Sequence, residues 1–121
     1  MMAMTESNRD GEVLLSEANG ALSREVAIIA AGQDLEAGAV LGRVTATGRY
    51  VALAPAATDG SEVAAGVLLY AADATGGEVS ATVVTRLAEV AADKLAWPAG
   101  ITQAQIDAAL SQLAGAYVIA R

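Results

Sequence analysis

Cysteine, histidine and phenylalanine are absent from this chain, and it has only two prolines. Without cysteine there can be no disulfides, no thiolate catalysis and no cysteine-ligated metal site. Without histidine, the commonest zinc ligand and the usual general base near neutral pH are missing. A serine nucleophile would lack its usual partner, and no G-x-S-x-G motif is present. We therefore expect a protein that is not an enzyme and that takes no cofactor, metal or small-molecule substrate.

Positive charge is also scarce. Seven Lys and Arg face fourteen Asp and Glu, which gives a net charge of −7 and a pI near 4.3. The few cations are scattered, so the basic patch that nucleic acid or an anionic membrane would need is missing. No apolar run approaches the roughly 20 residues of a membrane span. The first residues lack the basic and apolar regions of a signal peptide, so we expect neither a membrane partner nor export.

Most of the hydrophobic side chains in this sequence are small or aliphatic. Hydrophobic residues make up 55% of it and aromatics only 3%, and alanine is by far the commonest residue. A chain of 121 residues is most simply one domain, with valine, leucine and isoleucine as its core. Alanine buries little surface per residue, so packing against copies of itself would add stability. The composition therefore favours an oligomer.

A hairpin with no reactive group stands at the centre of the pattern. Apolar and polar residues alternate around a turn at Gly48, which predicts strands over Val40–Thr45 and Arg49–Leu53. Gly48 can take the positive φ that such a turn needs. Gly38 and Gly42 are expected to allow a close approach of backbone or a bulge.

Further strands are predicted on both sides of this hairpin. The segments are Ser23–Ala31, Ala64–Ala72, Val79–Val90 and a last strand within 116–120. Asp59-Gly60 predicts a plain turn in the loop between the central hairpin and the Ala64–Ala72 strand. The stretch from Leu87 to Leu95 also fits a turn of helix, and periodicity alone leaves both interpretations open.

One helix is predicted over Gln103–Ala114. Thr102 is its N-cap, and Gln105 stands at the capping-box position three residues later. Gly115 is placed to end the helix. Trp97-Pro98 before the helix should be extended, with Trp97 either filling the core or packing at a subunit contact. The helix has one apolar stripe, and Leu110 lies in its middle; the stripe consists of Ile106, Ala109, Leu110 and Leu113.

The fold class that follows is mainly β with one C-terminal α-helix. Residues 23–121 form a single β-rich domain, and residues 1–22 form a flexible N-terminal arm because they are polar and aperiodic. Val13-Leu14-Leu15 is a short apolar interruption in this arm. It fits either a short strand on its own domain or a segment that adds to a partner's sheet edge. We assign these three residues to partner binding.

The order of segments also carries a resemblance. The apolar arm, the 35–50 hairpin, the Ala65-Gly-Val-Leu-Leu-Tyr-Ala-Ala-Asp-Ala strand and the Leu95-Ala-Trp-Pro-Ala-Gly-Ile stretch stand in sequence from about Gly11 onward. In this order they resemble the bacteriophage head decoration family. The resemblance covers nearly the whole chain, and each motif in it is structural rather than catalytic.

The resemblance implies a homotrimer on the outer surface of the phage head. Its partner would be the major capsid protein. The decoration protein would bind the shell after the shell expands, and it would stabilise the shell against the pressure of packaged DNA. The protein would be assembled in the host cytoplasm and reside in the virion. The arm here is rich in Glu, Ser and Asn, whereas the arm of the lambda phage protein is rich in Thr and Pro, so its capsid contacts are not carried over.

Two other interpretations remain. The turn around Gly38 also resembles those of small β-clip or barrel-sandwich domains, some of which carry a group on a lysine at a hairpin tip. Lys94, the only lysine, stands before Trp97-Pro98 instead, which argues against a carrier. A β-rich scaffold unrelated to phage is the remaining alternative.

Overall fold

The structure is a computed structural model and describes residues 11–18 and 22–121. The predicted class is confirmed: the described chain is mainly β with one helix near its C-terminus. A short 3₁₀ turn, Ala92–Lys94, precedes the helix α1, Gln103–Gly115. The strands in chain order are β1 Leu14–Glu17, β2 Arg24–Ile29, β3 Asp34–Leu35, β4 Val40–Arg43, β5 Tyr50–Ala52, β6 Ala64–Leu68, β7 Ala72–Asp73, β8 Val79–Val84, β9 Ala88–Val90 and β10 Val118–Ala120.

Five strands close into a barrel in the order β2-β5-β4-β6-β8, with β8 pairing back onto β2. The longest pairing is the antiparallel β2–β8 ladder, which runs from Arg24 opposite Val84 to Ile29 opposite Val79. The predicted central hairpin is the β4–β5 pair of this barrel. The short β3 and β7 pair with each other outside the barrel.

Two hydrophobic cores lie on opposite sides of the barrel wall. We call the one inside the barrel the barrel core; its buried residues are Ala27, Ile29, Leu35, Ala39, Leu41, Tyr50, Leu68, Ala72, Ala74 and Val83. We call the second, outside the wall, the outer core; its buried residues are Val13, Val40, Leu53, Ala64, Val67, Leu69, Val84, Ala88, Val90, Leu95, Ala109, Leu113 and Val118.

Neighbouring residues on one strand are divided between these cores. Val67 belongs to the outer core and Leu68 to the barrel core, and the same division separates Val84 from Val83. Successive side chains of a strand point to opposite faces, so a strand that is covered on both faces needs apolar residues at consecutive positions. This explains the uninterrupted apolar runs of the sequence.

The outer core is covered by α1 and by a three-stranded sheet in the order β1-β9-β10. In this sheet β1 is antiparallel to β9, and β10 is parallel to it. Part of the predicted N-terminal arm, residues 1–22, contributes a strand to this sheet. Leu14–Glu17 pair with β9, and Val13 is fully buried in the outer core. Residues 1–10 and 19–21 of the predicted arm lie outside the described residues.

The helix begins as predicted. The Gln105 amide donates to Thr102 Oγ1 at 3.2 Å, and the Thr102 amide donates to Gln105 Oε1 at 3.0 Å, which completes the capping box. Its buried residues are Ala109 and Leu113, whereas Leu110 is only half-buried against the outer core. The predicted centre of the stripe is thus at its margin.

The end of the helix differs from the prediction. Gly115 is its last residue, and the positive φ that ends the helix belongs to Tyr117, at 62°. The predicted strand Val79–Val90 is likewise divided, because Leu87 has a φ of 54° between β8 and β9. In both places a large side chain occupies a conformation that favours glycine.

Three glycines of the central hairpin lie where the backbone turns or is crossed by another segment. Gly48 in the turn has a φ of 72°, and Gly38 before β4 has a φ of 90°. Gly42 lies under a crossing loop, where an added Cβ would stand 2.1 Å from the Ser61 carbonyl oxygen. Its missing side chain is what lets this loop pass over the barrel wall.

Candidate interaction surfaces

The described residues contain no group of three or more Asp and Glu side chains placed to hold a metal ion. Lys94 lies in the 3₁₀ turn and pairs with Glu12 at 2.9 Å, so it is not at a hairpin tip. No helix within the described ranges is both long and apolar enough to cross a membrane. Three parts of the molecular surface are candidates for contact with other proteins.

The junction with the N-terminal residues is one such surface. The Gly11 amide donates to the Leu69 carbonyl at 2.8 Å, which fixes the point where residues 1–10 join the domain. Of the three predicted partner-binding residues, Val13 is buried, Leu14 is half-buried and Leu15 is 54% exposed. Val13 faces the outer core, so in this fold only Leu15 offers a largely exposed side chain to a partner.

Trp97 and Pro98 lie between the 3₁₀ turn and α1. Both are half-buried, and Trp97 packs against the outer core. Pro98 lines a shallow depression of about 210 Å³ with Pro55 and Gln105. The depression lies between the start of the helix and the loop after β5.

A third surface is the solvent side of the three-stranded sheet. It contains a groove of about 340 Å³, and we call the surface around this groove the sheet face. The groove is lined by Ser16, Ala18, Leu87, Ala88, Glu89, Tyr117 and Ile119. Leu87 is 44% exposed and Tyr117 is 68% exposed. Sequence analysis did not single out either residue, because nothing in the local pattern marks a positive φ at a leucine or a tyrosine.

Ion pairs surround this sheet. Glu89 pairs with Arg121 at 2.6 Å, and Glu17 on β1 pairs with Arg24 on β2 at 2.6 Å. Hydrogen bonds from Arg24 and from the Ser23 hydroxyl lower the pKa of Glu17 below its ordinary value. The carboxylate of Glu17 thus joins the outer sheet to the barrel.

These features define a small acidic β-barrel domain that presents contact surfaces and contains, over the described residues, no metal-binding cluster. The family of bacteriophage lambda head decoration protein D matches residues 3–118, nearly the whole chain. The chain belongs to this head decoration family, which associates it with the phage capsid and with a place in the virion. No curated protein matches it significantly.

Proposed function

We propose that this protein binds the outer surface of an expanded phage head as trimers and stabilises the shell against the pressure of packaged DNA. The observation that carries the proposal is the match to the head decoration family over residues 3–118. The partner is the major capsid protein, and assembly takes place in the host cytoplasm. The role is structural, with no enzymatic step, cofactor, nucleic acid or small-molecule substrate.

The N-terminal residues supply the capsid contact in this proposal. Residues 1–10 join the domain at Gly11, whose hydrogen bond to Leu69 fixes the point of attachment. Ten residues, when extended, can span at most about 33–36 Å, which is about the diameter of a small domain. An extended segment can add to a sheet edge of a partner, where backbone hydrogen bonds provide affinity. Leu15, on an edge strand, is the predicted arm residue that remains largely exposed to join the contact.

Adding the purified protein to expanded, undecorated shells tests the proposal directly. At saturation, mass measurement of the shells should give three copies of the protein at each three-fold position. Decorated shells should also withstand a higher temperature than undecorated shells before they rupture. Unexpanded shells serve as the control and should bind little. Binding of isolated single copies, or binding without any gain in shell stability, would contradict the proposal.

Two truncations separate the arm from the domain. Deleting residues 1–10 should leave the melting temperature nearly unchanged and strongly reduce the affinity for shells. Deleting residues 1–18 should also lower the melting temperature, because it removes β1 and the fully buried Val13. Full affinity of the shorter deletion for expanded shells would show that residues 1–10 do not form the contact.

A further inference from the structure

Two residues on the sheet face adopt a backbone conformation that suits neither of them. Leu87 and Tyr117, with φ of 54° and 62°, are the non-glycine residues with positive φ in the described part of the chain. A bulky residue in this region is uncommon and strained, because its Cβ crowds the backbone. Strain of this kind is often found where a side chain is displayed for a function.

The fold uses the backbones of these two residues more than their side chains. The Leu87 amide donates to the Ala116 carbonyl at 3.3 Å, and the Ala88 amide donates to the Tyr117 carbonyl at 3.0 Å. Glycine or asparagine would adopt the same conformation with less strain. Because Tyr117 is 68% exposed, the packing of one copy does not account for an aromatic ring at this position.

The groove of the sheet face carries no unpaired charge. The only ionisable side chains in the groove lining are Glu89 and Tyr117, and Glu89 is neutralised by Arg121. Elsewhere in the described chain, several acids have no cation within 4 Å and none of them lines this groove; they are Asp34, Glu36, Asp59, Glu62, Asp73, Asp93 and Asp107.

We infer that the sheet face is the surface on which a second copy of this chain packs, with Leu87 and Tyr117 as its apolar anchors. Copies with a net charge of −7 repel one another, so they meet most favourably where charge is balanced and apolar side chains are exposed. The inference rests on the proposed trimer and names the surface that forms it.

The capsid is a poorer occupant for this groove. The groove lies at the Leu87 end of β1, where the Ala18 amide donates to the Leu87 carbonyl. Residues 1–10 join the chain at the opposite end of β1, beside Leu69. A capsid contact made through those residues and through Leu15, which does not line the groove, therefore leaves the sheet face available for another copy.

A single photocrosslinker identifies the occupant. Because the chain has no cysteine, Ser16→Cys offers one thiol on the sheet face for a benzophenone label, and Ser80→Cys offers a matched thiol in the groove beside Tyr70. On decorated shells, and at about millimolar concentration in solution, the label at residue 16 should give an adduct of twice the chain mass. The label at residue 80 should give much less.

An adduct between residue 16 and the shell protein, or no adduct from this position on decorated shells, would overturn the inference while leaving the proposed function intact. If the protein fails to decorate shells at all, the proposed function fails, and the adduct in solution alone decides the inference.

A double variant, Leu87→Asn with Tyr117→Asn, gives a second test. Self-association should weaken at least about tenfold, while the melting temperature of the dilute protein should not fall, because asparagine relieves the strain. Val26→Thr, which changes a 77% exposed valine on the barrel wall, should alter neither quantity. A clear loss of melting temperature in the double variant with association unchanged would show that both side chains serve the fold.

Discussion

The barrel and the outer layer, which consists of the three-stranded sheet and α1, both bury aliphatic side chains. They differ in strand pairing, because the barrel is a closed sheet and the outer sheet is open. Each barrel strand is paired within a closed ring, whereas β1 and β10 are the edges of an open three-stranded sheet. Closure leaves no backbone edge for another chain, and an open sheet leaves two. The barrel is thus the more self-sufficient region, and the outer layer is the one suited to partners.

The largest expected effect comes from truncating one leucine in each core. Leu68 in the barrel core and Leu113 in the outer core are both fully or almost fully buried. Leu→Ala at either site should cost about 2–5 kcal/mol of the free energy of unfolding. Hydrogen exchange should distinguish them: Leu68→Ala should speed exchange throughout the domain, and Leu113→Ala mainly in α1, β9 and β10, because a region can open without global unfolding.

Leu110→Ala is the matched control on the same helix. It lies half-buried at the margin of the apolar stripe, so it should cost less than Leu113→Ala, and the exposed Ser111→Ala should cost almost nothing. Uniform exchange in the Leu68→Ala and Leu113→Ala variants would mean that the two cores unfold together. The barrel and the outer layer would then not differ in stability.

Gly42→Ala gives the next largest effect and tests the barrel wall. The new Cβ would lie 2.1 Å from the Ser61 carbonyl oxygen and 2.7 Å from its Cα, so the loop above must move. Overpacking of this kind costs about 1–3 kcal/mol or more. Gly76→Ala is the control, since nothing lies within 4 Å of its Cβ and its φ is not positive. Equal melting temperatures for the two variants would contradict the close approach at Gly42.

Local signals were enough to predict part of this fold. The capping box at Thr102 and Gln105 depends on residues three apart, and the turn at Gly48 depends on a single φ. Such features are set by neighbours in the chain, so a sequence pattern can reveal them. The apolar run at Val67 and Leu68 likewise predicted a buried strand, although not that its two faces belong to different cores.

Features set by distant partners could not be predicted in this way. Val13 resembles part of a flexible arm until its distant partners are known: its side chain is buried in the outer core, and its carbonyl accepts a hydrogen bond from the Ala91 amide. Leu87 and Tyr117 have positive φ because the chain must turn where β9 and β10 begin, and neither residue type signals this. The sheet face is therefore a product of tertiary structure, which explains why sequence reasoning missed it.

A smaller effect is expected at the start of α1, which helps to cover the outer core. Thr102→Ala removes the acceptor for the Gln105 amide and should cost about 1 kcal/mol of the free energy of unfolding. Gln103→Ala, which loses only an exposed hydrogen bond to Asp107, should cost less. Denaturant titration measures both, and a Thr102→Ala variant as stable as the parent would show that the cap contributes nothing.

The smallest effect, and the one that joins the two regions, concerns Glu17. Its carboxylate accepts hydrogen bonds from Arg24 and Ser23 on the barrel side, which lowers its pKa in the folded state below the ordinary 4.5. A group with a lowered folded pKa stabilises the protein above its unfolded pKa, and this contribution is lost as the pH falls through the folded value. Glu17→Gln should therefore reduce stability at pH 7, and its difference from the parent should shrink below about pH 4.5.

Glu78→Gln is the control that localises this effect. Glu78 pairs with Arg49 at 2.9 Å, its pKa is also lowered, and it is 49% exposed compared with 20% for Glu17. Solvent weakens the more exposed pair, so its variant should change stability less. Of these two glutamates, Glu17 links the outer sheet to the barrel and Glu78 does not. The Glu17→Gln variant should therefore speed hydrogen exchange in β1 at neutral pH, and the Glu78→Gln variant should not. Equal exchange in both variants would show that this ion pair does not hold the outer layer in place.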